Sequence, residues 1–147
     1  MTRLYASDDA VARIAHGVIA RTLPKPEWTH AAHFAAVLWL LRTRPVAVVV
    51  AEMPGLIRAY NVATETPNTD TGGYHHTITL ASVRAAAEFL VRYRADHDLH
   101  AIVDDLMASP LGSPGWLLDY WSKARLFSVE ARRSWAEPDL QPFPHGV

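Results

Sequence analysis

Val46-Ala47-Val48-Val49-Val50-Ala51 is the one stretch of this chain with the β-branched density of a strand. No second stretch offers a partner for it. A lone strand has nowhere to place its backbone donors and acceptors. The segment therefore reads as a short buried helix, and the rest of the chain must build its core from helices alone. That constraint makes the expected fold an all-α, single compact domain of about seven helices, some of them short.

The helical signals run along the whole chain. Ser7 is a good N-cap with Asp8 and Asp9 in the first turn, and Val11, Ile14, Ala15, Val18 and Ile19 follow at helical spacing. This predicts a helix from Asp8 to about Arg21, ended by Leu23-Pro24-Lys25-Pro26. A second helix begins at Glu27, Trp28 or Thr29 and carries Phe34, Val37, Leu38, Leu40 and Leu41. Pro45 breaks the chain ahead of the Val46 segment. Pro54 starts or kinks the next helix, Leu56 to Val62. A polar loop, Thr64 to Gly73, leads into the clearest helix, expected from Tyr74 to about Arg94. Further helices are expected over Leu99 to Ala108, around Trp116 to Trp121, and from Val129 to Trp135 behind a Ser128 cap. Residues 138–147 read as an extended C-terminal tail.

Composition narrows the function classes. The 147 residues suit one domain that buries roughly two-thirds of its unfolded surface. There is no cysteine, which excludes disulfides, thiolate metal sites and a cysteine nucleophile, and fits a reducing compartment. With 14 Lys+Arg against 15 Asp+Glu there is no basic excess to neutralise phosphates, so no nucleic-acid partner is expected. The apolar runs Phe34 to Leu41 and Val46 to Ala51 are too short to span a bilayer. The N-terminus has acids where a signal peptide needs its apolar run. The expectation is a soluble cytoplasmic protein without a membrane partner. No phosphate-cradling loop is present, because Gly112-x-x-Gly115 is too short and lacks the lysine, so no nucleotide cofactor is expected.

Two histidine segments carry the chemistry. Trp28-Thr29-His30-Ala31-Ala32-His33 places two imidazoles three residues apart, ~60° apart on one helix face. That spacing lets both reach one ion. At a helix N-terminus the dipole disfavours imidazolium, and neutral imidazole is the form that binds metal. Gly72-Gly73-Tyr74-His75-His76-Thr77 repeats the arrangement. If the two helix starts converge, His30, His33 and His75 are ligands to a divalent ion, most simply zinc. His76 is then an alternate ligand or a partner behind the ligands. Glu65 and Asp70, with Glu27 behind them, are candidate bases for a metal-bound water. The competing reading is ordinary. Histidine makes up 8 of the 147 residues, so chance pairs occur, and histidines also cap helices. His97-Asp98 resembles the His-Asp doublet of helical metal-dependent phosphohydrolases, with Asp104 or Asp105 downstream, but Asp98 sits where a cap belongs. Trp116, Tyr120, Trp121, Phe127 and Trp135 are most simply core, or else the face of a homodimer.

Three segments together resemble a family of small bacterial helical proteins whose activity is uncharacterised. They are Trp28-Thr29-His30-Ala31-Ala32-His33, Gly73-Tyr74-His75-His76-Thr77-Ile78-Thr79, and Arg125 to Leu140. The resemblance covers most of the chain from Leu23 onwards. It implies a helical domain in which the histidine segments form a unit, and it brings no activity with it. The family pattern has glutamate where this chain has His76, which leaves His30, His33 and His75 as the stronger site residues.

The functional expectations fall in three classes. The first is a metal-binding helical protein, with metal-dependent hydrolysis as the reaction such a centre would run. The second is a non-catalytic binding module for a polar small molecule, with Trp28, Tyr60 and Tyr74 lining its pocket. The third is a structural or oligomerising protein whose histidines only cap helices.

Overall fold

The computed structural model describes residues 3–146. Among them are seven α-helices and no strand. They are α1 (Asp8–Ile19), α2 (His30–Thr43), α3 (Val46–Ala63), α4 (His76–Leu90), α5 (Leu99–Ala108), α6 (Lys123–Leu126) and α7 (Val129–Arg133). Short 3₁₀ turns at Lys25–Glu27, Pro110–Gly112 and Trp116–Asp119 complete the regular structure.

The core is organised around α2. This helix packs against α1, α3, α4 and α5. Apolar residues surround most of its circumference, and Ala32, Phe34, Ala35, Leu38 and Leu40 are all buried. A helix apolar on nearly every side belongs inside the bundle. Helix α4 is the second buried element, with Ala81, Val83, Ala85 and Ala86 fully enclosed.

Several boundaries differ from those read from the sequence: α1 stops at Ile19 rather than Arg21, α2 starts at His30, and α4 stops at Leu90 rather than Arg94. The Val46 segment and the Leu56 segment are one helix, with Pro54 inside it. A proline in a helix interior costs ~3 kcal/mol or more. Here Val49, Met53, Ile57 and Tyr60 form an unbroken buried stripe on both sides of it. That stripe outweighs the lost hydrogen bond. Val46, Ala47 and Val48 are not buried, so the expected buried helix faces solvent along much of its length. Helix α4 starts at His76 rather than Tyr74, because Gly73 takes a left-handed φ of 76° and His75 is extended. The aromatic segment after Ser113 is a 3₁₀ turn, and α6 behind it carries no sequence period long enough to notice.

The C-terminal tail is extended but tied down. The Leu140 backbone donates to Tyr120 O, and Asp139 accepts from the Ser122 backbone and hydroxyl. Phe143 lies against Trp116, Tyr120, Trp121 and Trp135. These aromatics are therefore packed within the chain. Phe127 is the exception, being exposed.

The start of α5 is capped from another helix. Asp98 holds the N-cap position without a side-chain bond. Asp8 of α1 supplies it instead, accepting from the His100 backbone N–H at 2.9 Å and from the His100 ring Nδ1–H at 2.6 Å. The ring's other nitrogen accepts from Arg3 at 2.7 Å. Burial works against ionised Asp8, but the hydrogen bonds from His100 and Leu99 outweigh it and hold the carboxyl below its ordinary range. Asp8→Ala is expected to lower stability by about 1 kcal/mol, the usual size of a lost cap. Urea unfolding at neutral pH measures it, and an unchanged midpoint would show that the trans-helix cap carries no weight.

Candidate functional site

The two histidine segments start helices as their position suggested, and each start has its own chemistry. Thr29 caps α2, its hydroxyl accepting from Ala32 N–H. The Thr29 carbonyl also accepts from the His33 ring, 2.7 Å from Nδ1. A carbonyl can only accept, so Nδ1 carries the proton and Nε2 of the neutral ring is an acceptor. The ring stacks on Trp28 at a centroid distance of 3.7 Å. Burial pushes the His33 pKa down to about 4, partly offset by the bond to Thr29 and reinforced by the neighbouring His30. His33 is thus neutral in one tautomer at physiological pH. His30 donates from Nε2 to Leu111 O at 2.9 Å, which ties α2 to the turn after α5.

His75 caps α4 rather than facing an open site. Its Nδ1 accepts from Ile78 N–H at 3.2 Å and its Nε2 donates to Leu126 O at 2.6 Å. Both ring nitrogens are committed to backbone. Burial lowers the His75 pKa, and the Arg132 charge adds to this against the bond to Leu126. His76 pairs through Nδ1 with the Tyr74 hydroxyl at 2.8 Å. Burial and the Arg58 charge both lower its pKa.

The other expected site residues are engaged elsewhere. Tyr60 is buried and donates its hydroxyl to Leu23 O at 2.8 Å. Tyr74 is buried with the Arg58 guanidinium 4.3 Å over its ring. Trp28 packs between His33 and Tyr60. Asp70 forms a two-pronged ion pair with Arg133 at 2.8 and 2.7 Å, and Glu65 is exposed with a left-handed φ of 59°. Glu27 is paired with Arg13. Among the described residues no group of three or more His, Cys, Asp or Glu side chains is placed to hold a metal ion.

What the structure does bring together is an apolar cleft of about 350 Å³ beside the start of α2. Its walls are Val37 of α2, Met53 and Ile57 of α3, Ile78 of α4, and two stretches further on, Pro114 to Leu118 and Leu126 with Phe127. Phe34 and Trp116 supply aromatic surface. His30, His33, Thr79 and Ser82 are the polar side chains along it. The Thr79 hydroxyl is already spent on His75 O at 2.8 Å. Among the described residues no Asp, Glu, Lys or Arg lines the cleft. His30 and His33 therefore share this wall, while His75 and His76 do not line it. The apolar wall residues were invisible as site residues in the sequence, because a residue lining a cleft and a residue filling a core have the same side chains and the same helical spacing.

Such a cleft can hold a small molecule by shape and burial. His33 itself is poorly matched to proton transfer at neutral pH. A general base works best with a pKa near the operating pH, and His33 lies well below that. No family model, no curated protein and no solved structure matches this chain.

Proposed function

We propose that this chain is a binding protein for a small, mostly apolar molecule that carries one hydrogen-bond donor, held in the cleft between α2, α3, α4 and the Pro114–Leu118 and Leu126–Phe127 stretches. The observation that carries this reading is a cleft with apolar walls whose histidine is held neutral in a single tautomer. Sites of this kind bury most of a ligand against apolar groups and fix its orientation with a few polar ones. His33 Nε2 accepts from the ligand's O–H or N–H. Ser82 offers a second polar contact. An anionic ligand is disfavoured, since no cationic side chain among the described residues lines the cleft to offset its desolvation.

The test is a fragment screen by ligand-observed NMR on the full chain, followed by titration of hits against the intrinsic tryptophan fluorescence, to which Trp116 in the cleft contributes. Hits combining an aromatic or branched aliphatic body with a phenol, alcohol or amide N–H are expected. Met53→Trp, which fills the cleft, should abolish their binding. His33→Phe should weaken hits that carry a donor by ~10-fold, about 1.4 kcal/mol, and leave purely apolar hits little changed. Zinc is titrated in parallel. Near-stoichiometric zinc binding that is lost in His30→Ala/His33→Ala would replace this reading with a metal centre. Fragment hits that ignore Met53→Trp would remove the cleft as the site.

A further inference from the structure

Among the described residues, no helix packs on the outer face of α3, which only Arg44, Asn68 and Tyr74 touch at its edges. The helix is 18 residues long with a mean hydropathy of 1.3, and only Val49, Met53, Ile57, Tyr60 and Asn61 are buried. Val48, Ala51, Glu52, Gly55, Arg58 and Val62 are exposed. At ~100° per residue they all fall within ~60° of the direction of Gly55, which puts them on one face opposite the core. Val62 keeps 70% of its surface in solvent.

We propose that this face is the interface of a symmetric homodimer, two copies of α3 crossing antiparallel at Gly55. The sequence of the face is complementary to itself about that residue. A twofold axis through Gly55 sets Glu52 of each copy against Arg58 of the other. It also sets Val48 against Val62, and Ala51 against Ala59. A twofold interface requires a patch that complements itself, and this one does so in both charge and size. A parallel pairing would instead oppose glutamate to glutamate and arginine to arginine. Each charge now has only a modest contact at the surface: Arg44 lies 3.4 Å from Glu52, and Arg58 covers the Tyr74 ring.

Gly55 is an independent pointer. Glycine in mid-helix weakens the helix, and here the monomer gains nothing from it. A Cβ at that position would meet nothing within 4 Å. Absence of a side chain at the centre of an exposed face is explained when another backbone approaches there. A lipid surface is the competing occupant, since α3 has the length and hydropathy for it. It would offer Glu52 and Arg58, on the two edges of the face, no countercharge of its own, whereas a second copy pairs both.

Sedimentation velocity on the full chain, from low micromolar to several hundred micromolar, tests the proposal. A reversible dimer is expected. Glu52→Arg should raise its Kd at least ~10-fold by opposing like charges. The exchange Glu52→Arg/Arg58→Glu should return it to near the wild-type value. Gly55→Leu should leave the protein monomeric with its helical circular dichroism intact. A monomer throughout the range overturns the proposal. So does a dimer indifferent to Glu52→Arg and Gly55→Leu. So does flotation of the monomer with phosphatidylcholine–phosphatidylglycerol vesicles, which would assign the face to lipid.

Discussion

Thr77→Val is expected to lower stability by about 3 kcal/mol although the substitution barely changes the side chain's shape. Thr77 is fully buried at the start of α4. Its hydroxyl lies 2.7 Å from Ala131 O and 2.9 Å from Ser134 O and donates toward both. The same oxygen accepts from the Ala136 backbone N–H at 3.1 Å. One hydroxyl thus satisfies three backbone groups at the end of α7 and just beyond it. Valine keeps the volume and leaves all three without a partner. Each orphaned buried group costs roughly 1–3 kcal/mol, and partial relaxation of the α7 end reduces the sum. Thr77→Ser keeps the hydroxyl and loses one methyl, so it should cost about 1 kcal/mol. Urea unfolding of the two variants separates the causes. Equal losses would mean that packing, not the hydrogen bonds, holds α7 against α4.

The difference between what could be read from the residues and what could not follows from the range of the interactions. Helix α1 was legible because every signal for it is local: Ser7 as cap, the two aspartates behind it, and the apolar spacing through Ile19. The same holds for Ser128 ahead of α7 and for His30 and His33 on one helix start. Pro54 misled because its local cost is real, and only the tertiary burial of Val49, Met53, Ile57 and Tyr60 carries the helix through it. His75 misled for a related reason. Its position before α4 was correct, but the carbonyl that occupies its Nε2 belongs to Leu126, 51 residues away. Asp70 looked available because Arg133, which neutralises it, lies 63 residues on. His100 was passed over because nothing near it in sequence hints at Asp8, 92 residues upstream. The aromatic segment around Trp121 was readable as core, but the hydrogen-bond partner that a fully buried indole needs was not. That partner, Ala136 O at 2.8 Å, arrives with the chain after α7.

The second large effect is a loss of stability on mild acidification, and His33 sets its window. A histidine in the unfolded chain titrates near 6.5. In the fold, burial against Trp28 brings His33 down to about 4, with the Thr29 bond working the other way. Between these two values the unfolded chain takes up a proton that the native state refuses. Stability is therefore fully present above pH 6.5, falls as the pH drops toward 4, and levels off for this group below that. The interval of about 2.5 units at 1.36 kcal/mol each sets an upper bound on the order of 3 kcal/mol. His75 and His76, both lowered chiefly by burial, act in the same direction. The depressed carboxylates, Asp8 and Asp139 among them, lose their contribution only as the pH falls below the ordinary carboxylate range, so they act in a more acidic window. Urea midpoints measured in half-unit steps from pH 7.5 to 4 should show the decline, with the pH interval itself following from His33. His33→Gln, which cannot titrate, should flatten most of it and leave a residual slope from His75 and His76. A wild-type curve that stays level down to pH 4.5, or a His33→Gln curve parallel to it, would place the His33 ring in water rather than against Trp28, and would remove the neutral acceptor on which the cleft's ligand preference depends.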